Sequence, residues 1–136
     1  MSARFVETPT VEVTEELVTT LVERGGFTHP LFRPASGSRA DVPLPGQAVL
    51  LLAGGLVEQS GALDAAVAML EMRTVRFLDM VRPGDSLVVR LTPGPARPAS
   101  RGRVVQELGW EIRTGAGTTV AEATVVMLMN ESMEGS

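Results

Sequence analysis

The sequence predicts an α+β fold over residues 1–136, an antiparallel β-sheet wrapped around one central buried helix. Three observations predict it. The longest apolar run, Ala48–Val57, is ten residues, half of the ~20 a bilayer span requires, so it belongs in a core. From residue 66 onward, four strand-like runs are separated by turn words. Finally, the order of a helix, a long loop, a buried helix and then four strands suits one helix embraced by a sheet.

The elements follow in chain order. "RFVE" is a short candidate edge strand. "TEELVTTLVERGG" reads as a helix: Thr14 is a candidate N-cap, and Glu15 and Glu16 stand in the first turn, where the helix dipole favours anions. Leu17, Val18, Leu21 and Val22 form its apolar stripe, and Gly25 or Gly26 stops it. Residues 27–45 hold four of the nine prolines. They are expected to form a long loop, and loops of that length inside a compact domain are often functional. "PGQAVLLLAGGLVEQSG" is then expected to be a helix with Pro45 in its first turn. It is apolar on nearly every face until Glu58, and a helix apolar all round is a buried one. Gly54 and Gly55 either permit close packing or end the helix early. The strands are expected in "AVAMLEMRTVRFLDMV", "DSLVVRLTP", "GRVVQELGWEIRTG" and "TTVAEATVVMLMN", with "RPGD", "PGPARPASR" and "GAG" as separators. Five strands result, with room for a short extra edge strand.

Composition removes several kinds of chemistry. There is no cysteine and one histidine, so disulfides, thiolate catalysis and Cys-ligated metals are excluded and a zinc site is not expected. No cofactor is called for. The net charge is −4 and all 12 positive charges are Arg, scattered without the basic stripe that nucleic acid demands. The N-terminus, "MSARFVETPTVEVTEEL", lacks the apolar stretch of a signal peptide. A cytoplasmic protein without membrane or nucleic-acid partners is expected.

Three words in this order resemble a known family. "PGQAVLLLAGGL" resembles the central helix of the hotdog fold. "VRFLDMVRPGDSLVV" is similar to the strand and turn of its MaoC-like members, the (R)-specific enoyl hydratases and acyl dehydratases, through Phe77, Val81, Pro83, Gly84, Asp85 and Leu87. "GFTHPLF", residues 26–32, sits where that family keeps its catalytic loop, Gly-Asp-x-Asn-Pro-Leu-His. The resemblance implies a hotdog fold, an acyl thioester of coenzyme A or acyl carrier protein as ligand, and a dimer, homo or hetero, with the site between protomers. A chain of 44% hydrophobic residues and mean hydropathy +0.18 fits such burial against a partner.

Aligned on Pro30 and Leu31, the family's Asp falls at Phe27, its Asn at His29 and its His at Phe32. Both groups that handle the water are thus replaced by rings that move no proton. Arg33 and Pro34 stand where a further acid is expected. His29 is the one side chain with an ordinary pKa near neutrality. It either serves as a general acid or base, worth about 10²–10⁴-fold, or replaces the Asn as a structural turn residue. Phe27 and Phe32 either line an acyl tunnel or pack on the central helix.

Backbone amides at the start of a buried helix can hold a thioester carbonyl oxygen. Pro45 has no N–H, so Gly46 and Gln47 are the candidate donors, against the alternative of ordinary helix initiation by Pro-Gly. Asp41 can reach the same mouth or stand solvated in the loop. Glu58 lies about 18 Å along the helix from Gly46, too far to act there within one subunit, and marks a solvated helix end or a dimer contact. Three functions remain open: a dehydratase or hydratase-type enzyme with an altered site, a non-catalytic hotdog subunit supporting a catalytic partner, and an acyl or small-molecule binding module.

Overall fold

The computed structural model describes residues 5–34 and 39–133. Arg4 of the expected first strand and residues 35–38 of the expected loop lie outside the described residues. Strand β1 is Val6–Glu7 and β2 is Val11–Glu12; helix α1 is Glu15–Gly25 and α2 is Gly46–Gln59. The long strands are β3 (Ala66–Phe77), β4 (Ser86–Pro98), β5 (Val104–Thr114) and β6 (Thr119–Met129). They form one antiparallel sheet in the order β1-β4-β5-β6-β3, with β2 also on β4. The "VEV" pairing of β2 was not separated in the sequence, because two residues carry too little periodicity to register.

Helix α1 forms for the reasons its sequence advertises. The Leu17 amide donates to Thr14 Oγ1 at 3.0 Å, and Val18 and Val22 are buried. Gly26 ends it in the left-handed region at φ 76°, a conformation that glycine adopts without a Cβ clash. The "VRPGD" turn is equally local: Gly84 has φ 100°, and the Arg82 amide donates to Asp85 Oδ2 at 3.0 Å. Its flanking Val81 and Leu87 are buried.

Helix α2 runs unbroken through Gly54 and Gly55. A Cβ at Gly54 would sit 3.7 Å from Trp110 Cη2, an ordinary contact, and one at Gly55 would meet nothing. Close packing therefore does not require either glycine, which corrects that expectation. The expectation of a helix buried on all sides is corrected as well. Ala48, Val49, Ala53, Leu56 and Val57 are buried against the sheet, while Gln47, Leu51, Gly55 and Glu58 form an open stripe at helical spacing. Leu51 is 65% exposed. The sheet curls around one face of the helix only, and apolar residues alone do not say how far a sheet reaches.

The separator "PGPARPASR" is also corrected: β4 continues through Pro98. Its register slips between Pro93 and Ala96, and Gln106 Nε2 donates across the slip to Gly94 O and, within its own strand, to Glu107 O. Prolines fit there because β1 and β2 pair only with β4 residues 86–91, leaving the later part as a free edge where a missing N–H costs no ladder bond. The core is filled by Leu87, Val89 and Leu91 of β4, Leu108, Trp110 and Ile112 of β5, and Ala121, Val125 and Met129 of β6, facing α1 and α2. No helix among the described residues is long and apolar enough to cross a membrane.

Candidate functional site

The start of α2 is held rigidly. Val42, Pro43, Leu44 and Pro45 are all buried, and the Leu44 amide donates to Val81 O at 2.7 Å. Pro45 is the N-cap and gives no side-chain bond. Its carbonyl accepts from both the Ala48 and Val49 amides, at 2.9 and 3.1 Å. The Gly46 and Gln47 amides have no partner among the described residues, as the first amides of a helix do when no side chain caps them. Gly46 is half-buried and Gln47 exposed. Two N–H groups at the positive end of a 14-residue helix can therefore bind an anion or a polarised carbonyl oxygen.

Glycine at 46 has a steric cause. A Cβ there would lie 3.0–3.3 Å from three atoms of the Phe77 ring. Phe77, the last residue of β3, is 52% exposed and covers the entrance to the helix. In the sequence Phe77 holds only a motif position; its closeness to Gly46 is a tertiary fact.

The turn from Gly26 to Arg33 is folded on itself. The Phe27 and Phe32 rings meet edge-on, with centroids 5.5 Å apart and planes at 68°, and both are half-buried against the core. Phe27 also lies over Gly25, where a Cβ would come within 2.7 Å of its ring. Arg33 Nε donates to Phe27 O at 2.7 Å. His29 is exposed; its Nδ1 accepts from the Leu31 amide at 3.0 Å, and its carbonyl accepts from Phe32 and Arg33 amides. With Nδ1 as acceptor, the ring's proton is on Nε2, and the imidazole does what an Asn side chain does in an Asx-turn.

Asp41 is exposed at the end of a 3₁₀ turn, Arg39–Asp41. That turn is tied to α1 by Arg39, which reaches Thr19 Oγ1 at 3.3 Å and Glu23 at 3.7 Å. Among the described residues, no hydrogen bond or ion pair joins Asp41 or His29 to the start of α2. At the opposite end of α2, Glu58 and Asp64 line a cleft of about 290 Å³ with Ala66, Val67 and Met127. No group of His, Cys, Asp and Glu suited to a metal ion occurs among the described residues.

No protein-family model matches the chain, and no curated protein matches it. Solved structures do. A monoamine oxidase regulatory protein from Archaeoglobus fulgidus superposes with a TM-score of 0.81 at 20% identity, covering 95% of this chain and 90% of that one. A MaoC-like dehydratase from Rhodospirillum rubrum gives 0.76 at 17%, covering 95% and 92%. The HadBC (3R)-hydroxyacyl-ACP dehydratase complex of Mycobacterium tuberculosis gives 0.70 at 19%, covering 93% and 95%. At such identities the shared property is the fold, and that fold is the hotdog.

Proposed function

We propose that this hotdog chain binds an acyl thioester of coenzyme A or acyl carrier protein at the start of α2, in the cytoplasm, as part of fatty-acid or polyketide metabolism. The observation that carries the reading is the pair of unpartnered amides at Gly46 and Gln47 beside the Phe77 ring. They would hold the thioester carbonyl oxygen, where enolate charge develops when water is added to or lost from the acyl chain. Preorganised backbone donors of this kind are worth about 10²–10³ in rate. The fold shared with a MaoC-like dehydratase and with a hydroxyacyl-ACP dehydratase complex supports the same substrate class.

The chain's own acid–base chemistry sets its role. At the two loop positions of the family's dyad, Phe27 and Phe32 stack edge-on, and neither has a proton to exchange. His29 keeps its Nδ1 on the Leu31 amide, leaving only Nε2 to act. This favours a hotdog subunit that binds thioester and supports a catalytic dehydratase partner. Lyase activity through His29 Nε2 is the second reading, favoured by the exposure of that ring.

The test measures two things in parallel. Calorimetry with a non-hydrolysable thioether analogue of crotonyl-CoA should give saturable binding by wild type that is lost in Gly46→Pro, which removes one donor. Hydration of crotonyl-CoA is then assayed alone and with related hotdog chains. Absence of binding by folded wild-type protein, alone and with those chains, sinks the proposal. Turnover by the isolated chain that His29→Ala abolishes selects the second reading.

A further inference from the structure

We propose that the tip of the β4–β5 hairpin, through Arg97, Arg101 and Arg103, docks a carboxylate-rich segment of another protein. This surface is separate from the thioester site and does not rest on it.

The chain is acidic as a whole, with a net charge of −4, yet no Asp or Glu occurs from Ser86 to Gln106. Arg97, Arg101 and Arg103 concentrate positive charge at one turn of that stretch. Elsewhere, Arg39, Arg73, Arg76 and Arg90 each hold a carboxylate of this chain. The side chains of Arg97, Arg101 and Arg103 make no hydrogen bond or ion pair among the described residues. Arg97 and Arg101 are exposed, and Arg103 is half-buried.

The hairpin fixes their arrangement. Arg97 pairs with Val105, and the Ala99 amide donates to Arg103 O at 2.8 Å, which extends the ladder toward the turn. Arg103 stands two residues before Val105, so Arg97 and Arg103 are diagonal neighbours on one face, about 7–8 Å apart. Arg101 stands at the apex, with φ 64° and ψ 30°. Gly102 follows at φ 72°, and the Arg103 amide donates to Ser100 O at 3.2 Å. This is a type I′ turn, whose central positions favour Asn-Gly or Asp-Gly. An Arg at the first of them carries the cost of a left-handed backbone, and no side-chain bond within the chain offsets it. Its guanidinium is left to meet a group outside the chain.

Place and shape select the partner. β4 begins at Ser86, just past the turn whose Val81 O anchors Leu44 at the start of α2, and runs for 13 residues. At about 3.3 Å per residue the tip lies roughly 40 Å along the strand, so it is no part of the thioester site of the same chain. Small ligands take concave sites, whereas residues 95–98 and 100–102 are all exposed, and the tip is convex. It suits a macromolecule. Pro93, Pro95 and Pro98 remove N–H groups from the free edge of β4, which blunts it against a pairing strand. Recognition therefore falls to the guanidinium forks, whose geometry matches carboxylates. No aromatic residue between Pro93 and Gln106 can stack on a base. Beyond the tip, Glu71 and Glu107 flank Arg73 and oppose a phosphate backbone continuing along the sheet. The arm is also preorganised: its prolines fix φ, and Gln106 Nε2 holds Gly94 O at 2.9 Å, which lowers the ordering cost of binding.

The test uses the whole chain and a fluorescein-labelled poly-Glu peptide at physiological ionic strength, read by anisotropy. Wild type should bind the peptide saturably. Arg97→Gln and Arg103→Gln should each weaken binding about two- to fivefold, and the triple Gln variant at 97, 101 and 103 roughly tenfold or more. Arg24→Gln, at an exposed arginine outside the hairpin, should leave it unchanged. Arg101→Asn separates binding from folding: Asn-Gly suits the type I′ turn, so this variant should melt higher than wild type and still bind about two- to fivefold more weakly. No saturable binding by wild type, equal binding by the triple variant, or an Arg101→Asn chain that melts higher and binds as wild type does overturns the proposal. So does an Arg24→Gln loss as large as that of the hairpin variants. Tighter binding of single-stranded DNA of equal charge overturns it in favour of nucleic acid. Salt-sensitive self-association in sedimentation that the triple variant abolishes overturns it in favour of a second copy of this chain.

Discussion

Gly46→Ala tests whether the Phe77 ring truly closes the entrance to α2. The new Cβ would stand 3.0–3.3 Å from three ring atoms, against the ~3.5–4.0 Å of an optimal carbon contact, so the ring must retreat by about 0.5 Å. Overpacking of this kind costs about 1–3 kcal/mol. Because Phe77 is half-exposed and can yield outward, the lower half of that range, about 1–2 kcal/mol, applies. Against it, Ala gains at most about 1 kcal/mol over Gly in helix propensity. The two effects nearly cancel in wild type, so the single variant alone says little. The informative quantity is the coupling with Phe77→Ala. Without the ring, Gly46→Ala meets no clash and should become stabilising. The expected coupling is about 1–2 kcal/mol in urea titrations of the four proteins, or roughly 4–8 °C in melting temperature for a chain of this size. Equal effects of Gly46→Ala in both backgrounds, within about 0.5 kcal/mol, would show that Phe77 does not rest on Gly46.

Further outcomes follow from single contacts. Gly54→Ala places its Cβ at ordinary distance from Trp110 and should stabilise by up to about 1 kcal/mol in thermal melts, through helix propensity. Gly25→Ala should do the opposite, since its Cβ would come within 2.7 Å of the Phe27 ring; a loss of about 1–3 kcal/mol is expected in urea titration. Thr14→Ala removes the side-chain acceptor of the Leu17 amide and should cost about 1 kcal/mol, while Thr14→Ser should keep most of it. His29→Asn should preserve the bond that His29 Nδ1 takes from the Leu31 amide. His29→Ala should lose about 0.5–1.5 kcal/mol, and equal stability of the two variants would remove the turn-forming role.

The local features of this chain were legible because each is decided within a few residues. Thr14 and Gly26 bound α1 by chemistry that acts over one helical turn, and Gly84 with Asp85 makes its turn without help from the rest of the fold. The four long strands announced themselves by runs of apolar and β-branched residues between turn words, and the apolar run at 48–57 marked the helix against which they pack. What the sequence could not decide was reach. Gln47, Leu51, Gly55 and Glu58 form an open stripe because the sheet curls around one side of α2 only, and hydropathy measures a residue's preference without saying which neighbour satisfies it. The same limit hid the continuation of β4 through Pro98, which depends on an unoccupied neighbouring edge. At the site, the sequence determined that Phe27 and Phe32 offer no titratable group, since that is a property of the residues themselves. Only the tertiary structure decided that Phe77, 31 positions from Gly46, rests on that glycine, and that the apolar residues of β3 collect on one unpaired edge, because both depend on where the folded sheet ends.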